Sequence, residues 1–396
     1  MLPIPKRILD LNYPVPVVLD SHWVNGLGVI RGLGAAQLTS LALSHHKRSI
    51  GQRSRYAVGM SCPSPVTHPA ELVDFLEELG RNLPHGGVLL VTDDFCLNVL
   101  AHAEARLAPY FRMPFPGAAR IDRIMDKQQQ YAAAQAVGVP VPRTLYPTGL
   151  PDLEAWPENA FPALVKGKSG KSFQQLTGRQ VAIVHNMDEL RGVFQRCGTI
   201  PVMLQEIIPG DDDQLYGLCA HFSMAGEPLA VFTARKIRQS PPFFGTGRVC
   251  ESVTNPVVAE QGVRLLRALD FNGTAHVEFK YDPRDGQYKL LEINARFWKW
   301  HSLATACGQN MAVMAYRDAL GQPVQPITTQ KDHISWVMGL DELLRFPGEL
   351  VMPGGSLKRQ LKGLGNPWVH AAFDVRDPLP WLAYLSRFLL ARVNIH

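Results

Sequence analysis

Apolar and polar positions along the first 115 residues predict strands and helices in alternation. Short apolar runs typical of buried strands occupy residues 15–20, 39–44, 55–60 and 86–94, and residues 68–83 have the spacing of an amphipathic helix. That order predicts an open parallel sheet, whose ligands bind beyond the carboxyl ends of the strands. The residues that this rule nominates, after two of the strands, are Asp20, Ser21, Asn25, Gly26, Thr92, Asp93 and Asp94.

The rest of the chain divides at proline- and glycine-rich stretches. A helix is predicted over residues 121–136, followed by an extended segment and by two further alternating units at 161–208 and 218–321. The tail ends in PLPWLAYLSRFLLARVNIH, which predicts an amphipathic helix. Docking of that helix on its own domain, a contact in a homodimer and a contact with a membrane surface are its three interpretations.

One predicted hairpin carries alternating polar side chains. It has a strand from Thr274 to Tyr281, the turn DPRDG at residues 282–286 and a return strand that begins at Gln287. On the return strand Glu292, Asn294 and Arg296 alternate with apolar residues and therefore share one face. Folding the chain about its turn brings Glu278 opposite or diagonal to Glu292, at a β-carbon separation of about 5 Å when directly opposed.

Two facing carboxylates destabilise a sheet unless a cation lies between them. Two carboxylates and an amide carbonyl are oxygen ligands of the kind that Mg²⁺ prefers, with phosphates and water completing its shell. The prediction depends on register, because a slip of one residue turns Glu278 to the other face. The alternative is a solvated outer face.

Composition bounds the class of protein. With 396 residues, 46% hydrophobic and 19% charged, the chain is predicted to be a soluble globular enzyme of two or three domains. A net charge of +5 does not indicate a nucleic-acid partner, but it is compatible with a basic cleft for an anion. The sequence contains no apolar run of about 18 residues and begins without a signal peptide, so we expect a cytoplasmic protein with no integral membrane segment. The six scattered cysteines predict neither a zinc site nor disulfides.

Three stretches are candidates for nucleotide binding. VKGKSGKSF, residues 165–173, carries Lys166, Lys168 and Lys171 around glycines; it is not a Walker A loop, and a flexible surface turn is its alternative interpretation. VMLQEIIPGDDD predicts a strand whose end can read an adenine edge, followed by aspartates that can accept ribose hydroxyls or lie in solvent. VFTARKIRQSPPFFGTG is predicted to place Lys236 and Arg238 on one strand face, before a loop that could close over phosphates.

The order of these elements resembles the ATP-grasp superfamily, in the branch of carboxylate-amine ligases. The resemblance covers roughly residues 115–325 and rests on Asp126-Lys127, the strand ending in Lys166, QEIIPGDD, RKIRQ, Glu278 and EINAR. It implies an α/β fold with a Rossmann-like domain at 1–115, a linker helix and small lobe at 116–200, a large lobe at 201–330 and a C-terminal extension at 331–396.

The resemblance also implies a role for each motif residue. Glu278, Glu292 and Asn294 would bind Mg²⁺, or Mn²⁺, on ATP phosphates. Lys127 and Lys166 would bind phosphates, and Lys236 would lie on the γ-phosphate side. Gln205, Glu206 and Ile208 would contact adenine, and Asp212, or Asp211 or Asp213, would bind ribose. Arg296 would stabilise an acyl-phosphate, with Arg238 as a further catalytic cation.

One position departs from the family. Members similar to D-alanine ligase commonly carry arginine two residues before the first metal acid, where this chain has His276. Arg296, Arg238 or a protonated His276 would supply that charge, unless His276 is a core histidine.

The implied reaction joins a small carboxylate to an amine through an acyl-phosphate, releasing ADP and phosphate. A biotin-carboxylase-like reaction and a non-catalytic nucleotide-binding role are the alternatives. The acceptor pocket has two candidate locations: the residues after the metal strand, and the N-terminal loops around Ser21 and Asp93. The first group comprises Trp298, Trp300, His301 and Ser302.

Overall fold

A five-stranded parallel sheet forms the N-terminal part of the chain. The computed structural model describes residues 2–168, 172–178, 181–241, 245–339, 342, 362–363 and 365–393. The sheet has the order β3-β2-β1-β4-β5, and β1, β2 and β4 are buried along their whole length because helices cover both faces. Its strands are β1 (Val15–Leu19), β2 (Ser40–Ser44), β3 (Ala57–Ser61), β4 (Gly87–Val91) and β5 (Phe111–Arg112). Its helices are α1 (Lys6–Leu9), α2 (Val24–Ala35), α3 (Pro69–Arg81), α4 (Asp94–His102) and α5 (Glu104–Leu107). The predicted parallel sheet is confirmed.

Two helices stand where the sequence predicted a single one. They are α6 (Ala118–Met125) and α7 (Lys127–Ala136). Between them Asp126 leaves helical geometry, and its carboxylate accepts hydrogen bonds from the backbone N–H groups of Gln128 and Gln129. This N-cap starts a new helix and puts Lys127 at its first position.

The small lobe is built on a four-stranded antiparallel sheet of order β6-β9-β7-β8. Its strands are β6 (Thr144–Leu145), β7 (Ala163–Gly167), β8 (Val181–Val184) and β9 (Val202–Glu206), and its helices are α8 (Ser172–Thr177) and α9 (Met187–Cys197). The apolar side of this sheet packs on α9 in a core of its own, which includes Trp156, Val165 and Leu190.

The large lobe is a seven-stranded sheet of order β14-β13-β10-β11-β12-β15-β16. Its strands are β10 (Leu215–Phe222), β11 (Pro228–Ser240), β12 (Thr246–Ser252), β13 (Gly273–Asp282), β14 (Gln287–Asn294), β15 (Ser335–Val337) and β16 (Trp368–His370). Its helices are α10 (Pro256–Ala268), α11 (Ser302–Ala306) and α12 (Met311–Ala319). Helix α12 packs on α2, so this lobe and the N-terminal sheet share a continuous core.

Three strands cross the boundaries proposed for the domains. Strand β9 belongs to the small sheet although it lies after residue 200, and β15 and β16 extend the large sheet although they lie after residue 330. Sheet pairing, which joins segments distant in sequence, decides this membership. The division into four domains otherwise stays a prediction.

The last helix, α13 (Leu379–Val393), docks on the N-terminal part of its own chain. Tyr384 is buried there, and Arg387 donates to the carbonyl oxygen of His22 at 3.0 Å. Within the described residues, none of the helices combines the length and apolar character needed to cross a membrane.

Candidate functional site

A cavity of about 950 Å³ lies where the small sheet, the large sheet and the N-terminal loops meet. The small lobe contributes Lys166 and Gln205, the large lobe contributes the β13–β14 hairpin, and the N-terminal part contributes Asn25 and Asp94. Ten of the twelve predicted site residues line this one space. They are Lys127, Lys166, Gln205, Glu206, Ile208, Lys236, Glu278, Glu292, Asn294 and Arg296.

The hairpin has the register on which the predicted carboxylate pair depends. Glu278 on β13 is directly paired with Glu292 on β14, and His276 is paired with Asn294. The pairing shifts by one residue between Phe279 and Glu278, and this irregularity, together with the short turn, sets Glu278 opposite Glu292. The prediction that the two carboxylates oppose each other is confirmed.

Each carboxylate is held by a lysine from another element. The Nζ of Lys236 on β11 lies 2.5 Å from Glu278, and the Nζ of Lys127, at the start of α7, lies 3.0 Å from Glu292. Burial would raise the pKa of Glu278, but Lys236 and His276 more than offset it and hold that pKa at about 2. Burial opposes Lys127 at Glu292 in the same way, and the net pKa of Glu292 is also lowered. Both groups are therefore carboxylates at neutral pH.

This donor set fits a hard divalent cation. Glu278 and Glu292 present ionised carboxylates in the cavity wall, and the Asn294 side chain adds an amide oxygen that accepts from Arg296 at 3.0 Å. Oxygen-only ligands with two negative charges suit Mg²⁺ or Mn²⁺. Lys127 and Lys236 balance the negative charge of the two carboxylates, which a bound ion would also balance.

Arg296 is fixed by a carboxylate from the N-terminal part. Its Nε and one terminal nitrogen donate to the two oxygens of Asp94, each at 2.8 Å. This bidentate geometry orients the guanidinium as a plane in the cavity wall. Asp94 was among the residues nominated from the end of β4, and the structure brings it to the motif strand 202 positions further along the chain.

Lys166 and Gln205 form the small-lobe side of the cavity. The Lys166 ammonium donates to the side-chain oxygen of Gln205 at 3.0 Å, and the Gln205 amide donates to Tyr131 at 2.8 Å and Thr144 at 3.1 Å. Burial, and secondly the charge of Lys127, lower the pKa of Lys166 to about 7. An anion placed here would favour its charged form.

Glu206 and Ile208, the two residues predicted to offer backbone groups to adenine, differ in the hydrogen bonds that those groups make. The Glu206 N–H already donates to the Arg143 carbonyl at 3.0 Å, so this group is committed to the sheet. Ile208 follows the end of β9, and within the described part of the chain its backbone groups make no hydrogen bond. The adenine contacts of both residues stay predictions, and the Glu206 N–H is not the group that could make one.

Arg238 is not in the cavity wall. It is 2% exposed, donates from Nε to Glu342 and donates from a terminal nitrogen to the Lys362 carbonyl at 2.9 Å. The pairing of β11 with β12 is irregular on both sides of Arg238, which breaks the alternation assumed for Lys236 and Arg238. Beyond the irregularity Gln239, rather than Arg238, lines the cavity.

Asp212 is likewise outside the cavity wall. It is 3% exposed, and its carboxylate accepts from the Gln239 N–H at 3.1 Å and from the Gln239 side chain at 2.8 Å. Both of its oxygens therefore position a cavity residue. The ribose contact predicted for Asp212 is corrected to this supporting role. Asp213, an alternative for that contact, is paired with Lys362.

His276 is a buried neutral base. It is 2% exposed, stacks on Trp298 at 5.5 Å and meets Trp300 edge-on at 4.9 Å. Burial lowers its pKa to about 4, so it does not supply the charge of the family's arginine at neutral pH. Trp298 and Trp300 line the cavity as predicted. His301 and Ser302 do not, because their side chains bond Asn25 and Trp336.

The N-terminal candidates divide between the cavity and the scaffold. Asn25 and Asp94 line the cavity. By contrast, Ser21 bonds the Leu43 carbonyl, Thr92 bonds the Leu19 carbonyl, and the Asp93 carboxylate caps α4. The predicted contact of Lys171 lies outside the described residues, as do positions 242–244 of the predicted lid. Lys168 is 3.5 Å from Asp126, the cap of α7.

Gln239 and Lys280 are among the polar lining residues that the sequence analysis did not name. Gln239 was hidden by the strand irregularity. Lys280 stands two residues after Glu278 and therefore shares its face, which the alternation of β13 could have indicated.

Comparison with known proteins agrees with this architecture. The ATP-binding domain of the carbamoyl-phosphate synthase L chain matches residues 250–327. D-aspartate ligase from Enterococcus faecium is 24% identical over 244 residues, a stretch that covers 58% of this chain and 58% of the ligase. The chain thus spans less than two thirds of that relative.

Solved structures share the fold at low identity. Biotin carboxylase from Campylobacter jejuni superposes with a TM-score of 0.63 at 13% identity, over 78% of this chain and 71% of that one. L-amino acid ligase from Bacillus licheniformis has a TM-score of 0.60 at 17% identity, over 80% and 78% of the two chains. Together with the matched ATP-binding segment, this shared architecture shows that the chain has the ATP-grasp fold.

Proposed function

We propose that this chain is an ATP- and Mg²⁺-dependent ligase that activates a carboxylate as an acyl-phosphate and joins it to an amine. The opposed Glu278 and Glu292, each paired with a lysine in a shared cavity with Arg296, are the observation that carries this proposal. Paired carboxylates facing cations and a guanidinium are suited to phosphoryl transfer, in which catalysis is mainly positioning and charge neutralisation.

The small-lobe side of the cavity suits the nucleotide. The free backbone groups of Ile208 support an adenine contact there, and Lys127 and Lys166 support contacts with phosphates. A phosphate chain running from Ile208 toward Glu278 would pass both lysines. Gln239 and Lys280, which line the same cavity, are further candidates for polar contacts with ATP.

The reaction has two displacements. A substrate carboxylate oxygen attacks the γ-phosphorus, the bond to the β-phosphate oxygen breaks, and ADP leaves. The nitrogen of the amine then attacks the acyl carbon, loses a proton, and phosphate departs with the former carboxylate oxygen. Glu278, Glu292 and Asn294 would hold Mg²⁺, which reduces the charge of the phosphates when bound.

Arg296 is the group we assign to the acyl-phosphate. Its bidentate bond to Asp94 supports this role, because a guanidinium held in one plane stabilises charge that develops at a fixed point. The side of the cavity beyond Arg296 is bounded by Asn25, Trp298 and Trp300. We assign the carboxylate and amine substrates to this side. Because His276 is neutral, the positive charge of the family's arginine would have to come from Arg296 and Lys299, which line the same cavity.

Amino acids are the first substrates to test. D-aspartate ligase and L-amino acid ligase are among the similar proteins, and an amino acid can serve as the carboxylate or as the amine. The experiment is nucleotide analysis after incubation with Mg-ATP and pools of amino acids, other small carboxylic acids and amines. We expect ADP and phosphate to form only when both a carboxylate and an amine are present.

The products separate this proposal from its alternatives. AMP and pyrophosphate would indicate adenylation and overturn the acyl-phosphate mechanism. ADP formed with bicarbonate alone, with no amine consumed, would favour a carboxylation of the biotin-carboxylase kind. Mg-ATP binding without turnover in any pool would favour a non-catalytic role.

A further inference from the structure

A second cluster of ligating side chains lies on the N-terminal sheet. Asp20 follows β1, and His45 and His46 follow the neighbouring strand β2, so parallel pairing brings the two loops together. One ligand atom from each of these three residues lies within 4.8 Å of the other two. None of the three lines the cavity described above.

A third histidine completes the cluster. The Nδ1 of His22 is 2.7 Å from an oxygen of Asp20, and the ring of His22 is 4.1 Å from the ring of His46. The rings of His45 and His46 are 3.9 Å apart. His22 therefore lies beside the three residues whose ligand atoms are close enough to share one ion.

The local backbone is specialised for this arrangement. Asp20 has a φ of 57°, in the left-handed region that non-glycine residues seldom adopt. The N–H of His46 donates to the Ser44 hydroxyl at 3.1 Å, which turns the chain directly after β2. Backbone strain of this kind concentrates at functional sites.

Burial in the core does not explain the cluster. His46 is exposed, and Asp20 and His45 are partly exposed, so these side chains do not fill the interior. Close imidazoles also repel each other when they are protonated, so rings 3.9 and 4.1 Å apart favour the neutral form. Neutral imidazoles keep the lone pairs that a metal ion needs.

We propose that Asp20, His45 and His46 bind a divalent transition metal ion, for which Zn²⁺ is the probe. Two imidazole nitrogens and one carboxylate oxygen form a donor set that zinc accepts, and it differs from the oxygen-only set of Glu278 and Glu292. The hydrogen bond from His22 would orient the Asp20 carboxylate, as a partner behind the ligand.

The ion would connect this cluster to the cavity wall. The loop that begins at Asp20 continues to Trp23, and Asn25 follows in the first turn of α2; both residues line the cavity. On its outer side Trp23 is covered by Tyr384 and Arg387 of α13. A metal joining the loops after β1 and β2 would fix that wall without touching the reacting groups.

The test is a zinc titration of the full chain, freed of metal and of any histidine tag. A chromophoric chelator competes for Zn²⁺, and excess Mg²⁺ is present throughout to occupy the acidic pair. We expect one Zn²⁺ per chain, at least about ten-fold weaker binding in His46→Ala and in Asp20→Asn, and a smaller loss in His22→Ala. The matched control is His185→Ala, since His185 is an exposed histidine 3.1 Å from the Glu189 carboxylate.

A melting experiment separates ligation from folding. Zn²⁺ should raise the Tm of the wild-type chain and of His185→Ala but not that of His46→Ala. Because His46 is exposed, its variant should keep the Tm of the metal-free wild type. Zinc affinity that is equal within two-fold in the wild type, His46→Ala and Asp20→Asn, or no uptake by the wild type, would overturn the proposal. Neither readout depends on the ligase reaction.

Discussion

The hairpin β13–β14 and the end of β11 lie on the same sheet and face the same cavity, and each contains an irregularity in its strand pairing. In the hairpin the pairing shifts by one residue beside Glu278, and this shift places Glu278 opposite Glu292. At the end of β11 the pairing shifts beside Arg238, and Gln239 takes the place in the cavity wall.

The difference shows what local pattern determines. The irregularity of the hairpin lies on β14 and leaves the alternation of β13 intact, whereas the irregularity beside Arg238 interrupts the alternation of β11 itself. One consequence is functional: the hairpin carries the groups assigned to chemistry, and Arg238 carries a buried ion pair with Glu342. Four substitutions test this contrast.

The largest effect is expected at the hairpin. Glu292→Gln keeps the side-chain size, removes one metal-binding charge and leaves Lys127 without its carboxylate. We expect turnover to fall about 10²- to 10³-fold, the size typical of losing one electrostatic contact with a transition state. ADP release measures it, with the exposed Glu260→Gln as control. Turnover at the wild-type rate would refute the metal assignment.

Arg238→Met should affect folding instead of chemistry. It leaves the buried Glu342 without its closest cation, a loss of about 3–5 kcal/mol for a buried pair. Urea unfolding should show this decrease, while turnover per folded molecule stays close to that of the wild type. Arg264→Met, on the exposed face of α10, is the control. A selective loss of turnover with unchanged stability would restore Arg238 to the catalytic set.

Asp94→Asn tests whether the N-terminal part completes the site. The substitution removes the charge that holds Arg296 in two hydrogen bonds, and Asp94 is 44% exposed, so the fold should tolerate it. We expect kcat/KM to fall about ten-fold through a misplaced guanidinium. Steady-state kinetics measure it beside Asp122→Asn, whose carboxylate is 55% exposed. Unchanged kinetics would mean that Arg296 needs no orientation from Asp94.

The smallest expected effect is a change in the protonation of Lys166 when Mg-ATP binds. Burial holds the pKa of Lys166 at about 7 instead of its usual 10.5, so at pH 8 its amine is mostly neutral. A bound polyphosphate would raise that pKa, and Mg-ATP binding should take up close to one proton. Calorimetry in buffers of different ionisation enthalpy measures the uptake. It should vanish in Lys166→Met and persist in Lys168→Met.

The pH dependence of folding stability gives an independent check of the lowered pKa of Lys166. Between about pH 7 and 10.5 the folded chain binds fewer protons at Lys166 than the unfolded chain, so this residue's contribution to stability increases with pH. Below about pH 7 Lys166 is protonated in both states, so the full free-energy cost of burying its ammonium destabilises the folded chain. Stability of Lys166→Met relative to the wild type should therefore be greatest at low pH.

Much of the fold and the core of the site could be predicted because they depend on local pattern. Apolar runs identified the parallel sheet, and alternation identified Glu278, Glu292 and Asn294. Sequence could not show that Asp126 breaks a helix, because a cap depends on the backbone it bonds. It could not distinguish a ribose-binding aspartate from Asp212, whose partner Gln239 is 27 residues away.

The small lobe is attached to the rest of the chain along one line. The chain enters it through residues 137–143 and leaves it through residues 207–214, and β6 and β9, beside these crossings, are paired. Arg143 and Glu206 join the two crossings by hydrogen bonds, and Glu206 also pairs with Arg284 of the large-lobe hairpin at 2.7 Å. Because the two crossings lie side by side, we expect any movement of the small lobe to be a rotation about that line. Ile208 lies in the second crossing, beside this line, and we expect a ligand bound to it to limit how far the cavity opens.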